Sequence, residues 1–337
     1  KLNAIGLSKE DYSGAPSTLC KGCGHNAIVT QMIEACYEEN IPPEKVVKFS
    51  GIGCSSKAPT YFMKRSFGFN GLHGRMPSLA TGALFADTSL IGIGVSGDGD
   101  SASIGMGQFK HIMRRNVPLV YIIANNGVYG LTKGQMSATA EEGLFLKKQG
   151  QNMYMPVDIV LEALVGRASF VARGFSGDTK QLKDLFKAAL HHRGTAVIDV
   201  ISPCVTFNNK DDTLHSYAWG KLHEVALHEY SFVPAAEEIT TDYEKGQIVK
   251  VDLHDGTHVI LKKLGYDYVP NDRGAALQLL EEANSKQELV TGLIYINPDQ
   301  KTIFDIDYLP PAELNRVPAE NLRPSRESLD GVNAMMV

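Results

Sequence analysis

The stretch from residue 91 to residue 131 constrains the fold of this chain more than any other. Two apolar runs, residues 90–95 and 118–124, have the length and composition of fully buried parallel strands. Between them, residues 101–115 place apolar side chains at helical spacing. The crossover of such a strand–helix–strand unit is almost always right-handed, and both strands then end at the same edge of the sheet. The stretch therefore predicts an α/β domain built on a parallel sheet.

Acidic and amide side chains follow both predicted strands. Gly97-Asp98-Gly99-Asp100 follows the first strand, and Asn125-Asn126-Gly127 follows the second. Ligands of open α/β sheets bind at the carboxyl ends of the strands, so these groups are expected to share one crevice. Their oxygen atoms suit Mg²⁺ or Ca²⁺. A helix opened by Ser101 or Ser103 would favour an anion beside that cation, which indicates a Mg²⁺–diphosphate site. An ordinary glycine-rich turn is the alternative interpretation.

Strand and helix patterns alternate from about residue 15 to residue 205, which predicts a doubly wound parallel sheet. We assign residues 1–210 to this domain and residues 211–337 to a C-terminal arm that packs on the domain or on a partner. Residues 208–212 are predicted to be a linker. In the arm, the patterns predict a hairpin over residues 247–264 that turns at Asp255-Gly256, a helix over 273–284 and a second strand pair over 293–306.

The composition excludes several classes of protein. The chain of 337 residues has a net charge of −5, which argues against nucleic acid as a partner. No apolar run reaches the roughly 18 residues of a membrane span, and no signal-peptide pattern opens the sequence. An odd number of cysteines, five, favours a reducing compartment and metal or redox chemistry over disulfides. We therefore expect a cytoplasmic protein without a membrane partner.

Four of the cysteines fall in loops or at predicted strand ends: Cys20, Cys23, Cys54 and Cys204. Four thiolates suit zinc or an iron–sulfur cluster. One CxxC pair with two distant single cysteines leaves zinc, a cluster and a redox dithiol open. The redox dithiol is disfavoured because the CxxC motif lacks a preceding strand and two further cysteines remain. Cys36 lies inside a predicted helix and is interpreted as a core residue.

Six ordered motifs resemble those of the β subunits of 2-oxoacid:ferredoxin oxidoreductases, over residues 15–210. They are CKGCGH, SGIGCSSK, GLHGR, SGDGDSASIG, NNGVYGLTKGQ and SPC. The run HRGTAVIDVISPC with the following Phe-Asn is most similar to the two-subunit branch that uses 2-oxoglutarate. Where the family often has Ser-Pro-Thr, this chain has Ser137-Ala138-Thr139. The resemblance implies the diphosphate-binding domain fold of thiamine-dependent enzymes.

The resemblance also implies cofactors and their residues. One 4Fe–4S cluster would be bound by Cys20, Cys23, Cys54 and Cys204, and Mg²⁺ by Asp98, Asn126 and the Val128 carbonyl. Lys57, His73 and Lys133 are the implied catalytic candidates, near the cofactor or substrate. The residues implied to bind thiamine diphosphate are Ile52, Gly53, Cys54, Ser55, His73, Gly97, Asp98, Gly99, Asp100, Asn126, Val128, Tyr129, Gly130 and Leu131.

The implied reaction is the coenzyme-A-dependent oxidative decarboxylation of 2-oxoglutarate to succinyl-CoA and CO₂, with electrons passed to ferredoxin. Reductive carboxylation would be its reverse. Thiamine enzymes also need a glutamate that activates the aminopyrimidine, and this chain has no room for the domain that carries it. An α subunit is therefore expected, giving an αβ unit that dimerises as (αβ)₂. Pyruvate or another 2-oxoacid, a non-redox thiamine decarboxylase and an iron–sulfur electron carrier or assembly subunit are the alternatives.

Overall fold

The computed structural model of the chain describes residues 1–147, 149–209, 213–227, 248–252, 258–262, 268–309 and 313–336. Its strands are β1 (Val46–Ser50), β2 (Phe67–Asn70), β3 (Ile91–Gly97), β4 (Leu119–Asn125), β5 (Val128–Tyr129), β6 (Gln135–Met136), β7 (Phe145–Leu146), β8 (Gly150–Gln151), β9 (Phe170–Phe175), β10 (Thr195–Ile201), β11 (Glu224–Ala226), β12 (Ile248–Asp252), β13 (His258–Lys262) and β14 (Leu289–Ile296). Its α-helices are α1 (His25–Glu38), α2 (Met76–Ala86), α3 (Met106–Arg115), α4 (Ile159–Val165), α5 (Thr179–His191), α6 (Tyr217–His223), α7 (Arg273–Ser285), α8 (Ile303–Ile306), α9 (Ala319–Leu322) and α10 (Arg326–Met335).

Eight of these strands form one sheet in the order β11-β14-β9-β10-β4-β3-β1-β2. Neighbouring strands run parallel, except for the antiparallel pair of β14 and β9. Strands β4, β9 and β10 are buried along their whole length, as the apolar run of β4 and the mainly apolar sequences of the other two predict. The prediction of an α/β fold with a mostly parallel central sheet is therefore confirmed.

Helices cover both faces of the sheet. On one face, Ile28 of α1 and Leu182 of α5 belong to a buried apolar cluster with strand residues such as Ile122. On the other face, Phe109 of α3 and Leu280 of α7 pack in a second cluster. Each face buries a continuous apolar layer, which is the arrangement of a doubly wound sheet.

The helix boundaries follow from local chemistry. The side chain of Asp158 accepts hydrogen bonds from backbone N–H groups at the start of α4, and the side chain of Asp178 does the same at α5. Helix α3 ends at Asn116, whose φ of 48° lies in the left-handed region that terminates helices. The predicted helix over 101–115 is wrong at its start, because a π-helical segment, Gly99–Ile104, precedes α3.

Two regions differ from the sequence predictions. Residues 64–75, interpreted as a loop, contain the parallel edge strand β2. The second strand pair predicted over 293–306 is wrong, because only β14 is a strand there. Residues Ile303–Ile306 instead form the short helix α8, since Thr302 and Asp305 make a capping box at its start. The rule of alternating apolar residues could not separate that short apolar helix from a strand.

The C-terminal region contributes to the same sheet. Strand β14 pairs with β9, and α7 packs against it. Strands β12 and β13 pair antiparallel, as the predicted hairpin requires, whereas its turn at Asp255-Gly256 lies outside the described residues. The division of the chain at residue 210 stays a prediction. Of the helices in the described ranges, none has the length and apolar character needed to cross a membrane.

Candidate active site

The loops that follow β1 and β3 meet where the sheet reverses its winding. Strand β1 lies between β2 and β3, and the chain turns to β2 after β1 but to β4 after β3. Open α/β sheets bind ligands outside such a switch point. Ser55, at the end of the β1 loop, is buried, and a Cβ at Gly97 would lie 3.1 Å from its Oγ. The predicted residues of both loops are therefore in close contact.

Asp100 connects these loops through its carboxylate, which is only 2% exposed. Its Oδ1 accepts hydrogen bonds from the backbone N–H groups of Gly74 (2.8 Å) and Ile52 (3.2 Å), and Oδ2 accepts one from Ser96 Oγ (2.5 Å). Nδ1 of His73 lies against Oδ1 without hydrogen-bond geometry. Asp100 thus connects the loop at Ile52 with the loop at Gly74, and both of its oxygens accept hydrogen bonds from protein groups.

Asp98, by contrast, keeps one oxygen nearly free. Its Oδ2 accepts hydrogen bonds from the hydroxyls of Ser137 and Thr139, the second at 2.7 Å. Its Oδ1 has only a long contact of 3.4 Å with the Asn126 backbone N–H. The side chain is 2% exposed, and a buried carboxylate oxygen with only one long hydrogen bond is a favourable cation ligand.

Both oxygens of Asn126 accept hydrogen bonds from neighbouring residues. Its Oδ1 accepts the N–H of Val128 (3.0 Å), and its carbonyl accepts the amide of Asn208 (3.0 Å). Asn208 was predicted to begin a linker, and that interpretation is wrong because the residue is fully buried. Asp98, Asn126 and the Val128 carbonyl supply only hard oxygen donors, which fits Mg²⁺.

Asn125, the other amide of the pair, points away from this oxygen set. Its Nδ2 donates to Asp199 (3.1 Å), whereas its Oδ1 faces Thr139 Oγ1 (3.0 Å) and His215 Nε2 (2.9 Å). Sequence reasoning missed the site residues Ser137, Thr139 and His215. The Ser-Ala-Thr departure marked the loop of the first two, but no sequence signal marked His215.

An aromatic ring forms one wall of the crevice. The Tyr129 hydroxyl donates to the Gly99 carbonyl (3.1 Å), and a Cβ at Gly99 would overlap the Tyr129 ring. The His73 and Tyr129 rings lie with centroids 6.2 Å apart. Two predicted cofactor residues at the rim, Ile52 and Leu131, expose 39% and 51% of their surface. The crevice is therefore bordered by exposed apolar side chains.

The four predicted cluster cysteines line a single cavity of about 70 Å³: Cys20, Cys23, Cys54 and Cys204. Lys57, Asn126 and Gly130 line it as well. A Cβ at Gly130 would lie 3.4 Å from the sulfur of Cys54, so this glycine lies against the thiols. Cys36 lies elsewhere in the core, fully buried, with its sulfur 3.5 Å from that of Met32. All five cysteines are unbridged.

The surroundings of two of these thiols, those of Cys23 and Cys54, favour the protonated form. The pKa of Cys23 is raised to about 11, chiefly by burial and also by the neighbouring cysteines, against the lowering effect of a backbone hydrogen bond with His25. Burial also raises the pKa of Cys54, although Lys57 opposes the shift. In the described ranges, no group of three or more His, Cys, Asp or Glu side chains is arranged around a single ion. Four sulfurs around one cavity fit a metal centre that is larger than one ion.

The remaining predicted site residues lie in the loops around the crevice and the cysteine cavity. Gly53 has a φ of 119° in the loop before Cys54. Lys133 adopts a φ of 78° and precedes Gly134 with a φ of 89°, so two successive residues occupy the left-handed region. This is a strained conformation for a lysine, and such strain concentrates at functional sites. The structure thus places Lys57 at the cysteine cavity and Lys133 in a tight turn after β5.

His25, the last residue of the CKGCGH motif, connects the loop that carries Cys20 and Cys23 with the loop that carries Cys204. Its ring is buried, and Nδ1 lies 2.7 Å from Ser202 Oγ, just before Cys204. Burial lowers the pKa of His25 to about 4, while Asp98 acts in the opposite direction. A neutral imidazole therefore ties the start of α1 to the loop after β10.

The fold and these motifs define a thiamine-dependent type of domain. Residues 51–200 match the family described as thiamine pyrophosphate enzyme, C-terminal TPP binding domain. A 2-oxoacid:ferredoxin oxidoreductase subunit beta of Saccharolobus solfataricus is 43% identical over 191 residues, which is 56% of this chain and 63% of that protein. A 2-oxoglutarate synthase subunit KorB of Methanocaldococcus jannaschii is 36% identical over 196 residues, 57% of this chain and 71% of that relative.

A solved structure is similar over nearly the whole chain. It is the 2-oxoglutarate:ferredoxin oxidoreductase from Magnetococcus marinus with 2-oxoglutarate, coenzyme A and succinyl-CoA bound, with a TM-score of 0.73 and 27% identity. The match covers 99% of this chain and 97% of that one. The chain belongs to the β-subunit family of the 2-oxoacid:ferredoxin oxidoreductases. The sequence match to the Saccharolobus relative spans 63% of the relative's length.

Proposed function

We propose that this chain is the catalytic β subunit of a 2-oxoglutarate:ferredoxin oxidoreductase. The reaction is oxidative decarboxylation of 2-oxoglutarate, with coenzyme A accepting the acyl group to give succinyl-CoA and ferredoxin accepting the electrons. One observation carries the proposal: Asn126, whose amide belongs to the candidate Mg²⁺ site, also lines the four-cysteine cavity. A decarboxylation centre and an electron acceptor would therefore be neighbours.

The candidate Mg²⁺ ligands are Asp98, Asn126 and the Val128 carbonyl, which would hold the diphosphate of the cofactor through the metal. Thiamine diphosphate, when bound, supplies a carbon nucleophile and an electron sink for loss of CO₂. The residues of this chain orient it: Asp100 fixes the loops at Ile52 and Gly74, and Tyr129 closes one side. Backbone N–H groups at the glycine-containing turn 97–100, where a helical segment begins at Gly99, would suit a diphosphate.

The four cysteines would bind one 4Fe–4S cluster, which accepts electrons one at a time. Cys20 is the exposed member of the set, so the cluster's outer edge would face solvent there. This position suits electron transfer to an external ferredoxin. A bound cation would favour ionisation of Cys23 and Cys54, whose pKa values are raised chiefly by burial and also by neighbouring cysteines.

The two lysine candidates are proposed to neutralise carboxylates of the substrate. Lys57 lies at the cavity, and Lys133 is held in its turn by Gly130, whose carbonyl accepts the Lys133 N–H (3.2 Å). A dicarboxylate such as 2-oxoglutarate offers a second charge for one of them. His73, whose Nδ1 lies against Asp100 Oδ1, would line the thiazolium side.

An α subunit is proposed to cover the apolar rim around Ile52 and Leu131 and to supply the glutamate that activates the aminopyrimidine. Burial of exposed apolar groups would stabilise that interface. The assembly is proposed to be (αβ)₂. A cytoplasmic location and the absence of nucleic-acid or membrane partners stay predictions from the composition.

The test is anaerobic reduction of a viologen dye by the chain purified with its natural partner. The 2-oxoacids are 2-oxoglutarate, pyruvate and a branched 2-oxoacid, each with and without coenzyme A. We expect coenzyme-A-dependent reduction with 2-oxoglutarate. Preference for pyruvate would overturn the substrate assignment, and decarboxylation without dye reduction would indicate a non-redox thiamine enzyme.

A further inference from the structure

His215 lies within the region predicted to be a C-terminal arm, yet it reaches the candidate cofactor site. Its side chain is 0% exposed. Nε2 lies 2.9 Å from Asn125 Oδ1, and Nδ1 lies 3.2 Å from Glu141 Oε1, which also accepts the His215 backbone N–H (3.2 Å). Glu141 Oε1 and Asn125 Oδ1 are both acceptors, so the two contacts together need a hydrogen on each ring nitrogen of His215.

The orientation of the Asn125 amide is set by its other neighbour. Nδ2 donates to Asp199 Oδ1 (3.1 Å), and the second oxygen of Asp199 accepts a hydrogen bond from Arg173 Nε (3.2 Å). A reversed amide would place two acceptors against each other at Asp199. Oδ1 of Asn125 must therefore face Thr139 and His215. Either the Thr139 hydroxyl or His215 Nε2 could donate a hydrogen bond to it.

The hydroxyl of Thr139 has one proton and three possible acceptors within reach, one of which is Ser137 Oγ at 2.9 Å. Its Oγ1 lies 2.7 Å from Asp98 Oδ2 and 3.0 Å from Asn125 Oδ1. If the proton went to Asn125, Asp98 would lose a donor. When His215 donates from Nε2 to Asn125, the amide oxygen is satisfied and the Thr139 proton is available to the carboxylate.

We propose that His215 is a positioning residue for the Mg²⁺-binding carboxylate of Asp98, acting through Asn125 and Thr139. This inference rests on the proposed function, since it concerns the same thiamine diphosphate site. With the hydroxyls of Ser137 and Thr139 both donated to Oδ2, the remaining oxygen, Oδ1, is the one that faces the cation. His215 itself contacts neither cofactor nor substrate in this account.

Two substitutions of His215 test the contributions of its two ring nitrogens separately. His215→Gln retains a donor near the position of Nε2, and His215→Asn retains one near Nδ1. The dissociation constant of Mg²⁺–thiamine diphosphate is measured by titration calorimetry on the chain assembled with its partner subunit. We expect binding by His215→Gln within about twofold of the wild type, and binding by His215→Asn about tenfold weaker, as for one lost buried hydrogen bond.

Substitutions of Thr139 provide a second, independent pair of variants. Thr139→Ser keeps the hydroxyl and should bind the cofactor as the wild type does, whereas Thr139→Val should weaken binding by about tenfold. The effects of His215→Asn and Thr139→Val should not add, because both interrupt the same chain of hydrogen bonds. The midpoints of thermal unfolding show whether a variant is merely less stable.

Equal affinities for His215→Gln and His215→Asn would overturn the proposal, as would wild-type affinity for Thr139→Val. If His215→Asn does not assemble, the Thr139 pair decides. A wild-type complex that does not bind Mg²⁺–thiamine diphosphate would overturn the proposed function instead, so the two failures are distinguishable.

Discussion

Gly51 leaves no room for a side chain above Asp100, because a Cβ at residue 51 would overlap Oδ2 of that carboxylate. Asp100 in turn holds the backbone of Ile52 and Gly74. A residue that sequence resemblance places in the cofactor site thus acts within the protein as the connection between two loops of that site.

Gly51→Ala should therefore disturb the site. We expect the overlap to displace Asp100 and to lower the free energy of unfolding by about 1–3 kcal/mol, with weaker thiamine diphosphate binding. The measurements are urea unfolding and cofactor titration. Gly82→Ala in α2 is the control, because a Cβ there meets nothing within 4 Å, and helix propensity predicts a stability gain of about 0.5–1 kcal/mol. Equal behaviour of both variants would contradict the role of Gly51.

The cysteines separate into cluster ligands and a core residue. Cys54→Ser should lower the iron and sulfide content of anaerobically purified protein, because the cavity loses one thiolate ligand. Cys36→Ala should keep full iron content and lose about 1 kcal/mol of stability from the small cavity created. Iron and sulfide analysis of both proteins checks this. Full cluster content in the Cys54 variant would refute the assignment of that ligand.

Lys133 should contribute to recognition of the second carboxylate of 2-oxoglutarate. Lys133→Gln is expected to raise KM for 2-oxoglutarate by about 10- to 100-fold, the range for a lost charge-assisted hydrogen bond, with a smaller effect on pyruvate. Lys147→Gln, an exposed lysine further along the same chain segment, serves as the control. Steady-state dye reduction measures both. Equal KM changes for the two 2-oxoacids would argue that Lys133 has no role in distinguishing them.

Asp184 on α5 makes stability depend on pH. Burial raises its pKa to about 6, Lys183 and Lys187 oppose the shift, and Glu38 reinforces it. The folded state therefore binds more protons than the unfolded state between about pH 4 and pH 6, so this carboxyl's contribution to stability is present below that window and is lost as the pH rises through it. Asp184→Asn should gain about 1–3 kcal/mol relative to the wild type at pH 7 and nothing near pH 4.

Urea unfolding at pH 7 and near pH 4 measures the difference in stability between Asp184→Asn and the wild type. Asp305→Asn should behave in the opposite way. Its pKa is lowered because its side chain accepts hydrogen bonds from Thr302, so the wild type should be the more stable protein above that pKa. A constant difference between Asp184→Asn and the wild type across the range would show that Asp184 does not titrate in this window.

The parallel sheet and its crevice could be predicted because the sequences of buried parallel strands tend to be continuous apolar runs. Strand β4 and the Asn125-Asn126 pair at its end illustrate this. Edge strand β2 could not be predicted, since all its residues are exposed and its glycine and aromatic composition is that of a loop. Helix α8 was predicted as a strand because its capping box, not its apolar pattern, decides its conformation.

The same limit applies within the site. Cys20, Cys23, Cys54 and Cys204 could be grouped from the sequence because cysteine is rare and its chemistry is specific, and all four line one cavity in the structure. His215 was missed because its position depends on long-range contacts with Asn125 and Glu141, distant in sequence by 90 and 74 residues. Hydrogen bonds of that kind leave no periodic signal.

On the proposed function, one chain carries both a thiamine diphosphate site and an adjacent electron-accepting cluster. The most direct measurement is electron paramagnetic resonance of the anaerobic complex, frozen after mixing with 2-oxoglutarate and coenzyme A. The account predicts a reduced-cluster signal in the wild type and none in Asp98→Ala, although both proteins contain equal iron. A wild-type complex with intact cluster and bound thiamine diphosphate that gives no signal would contradict it.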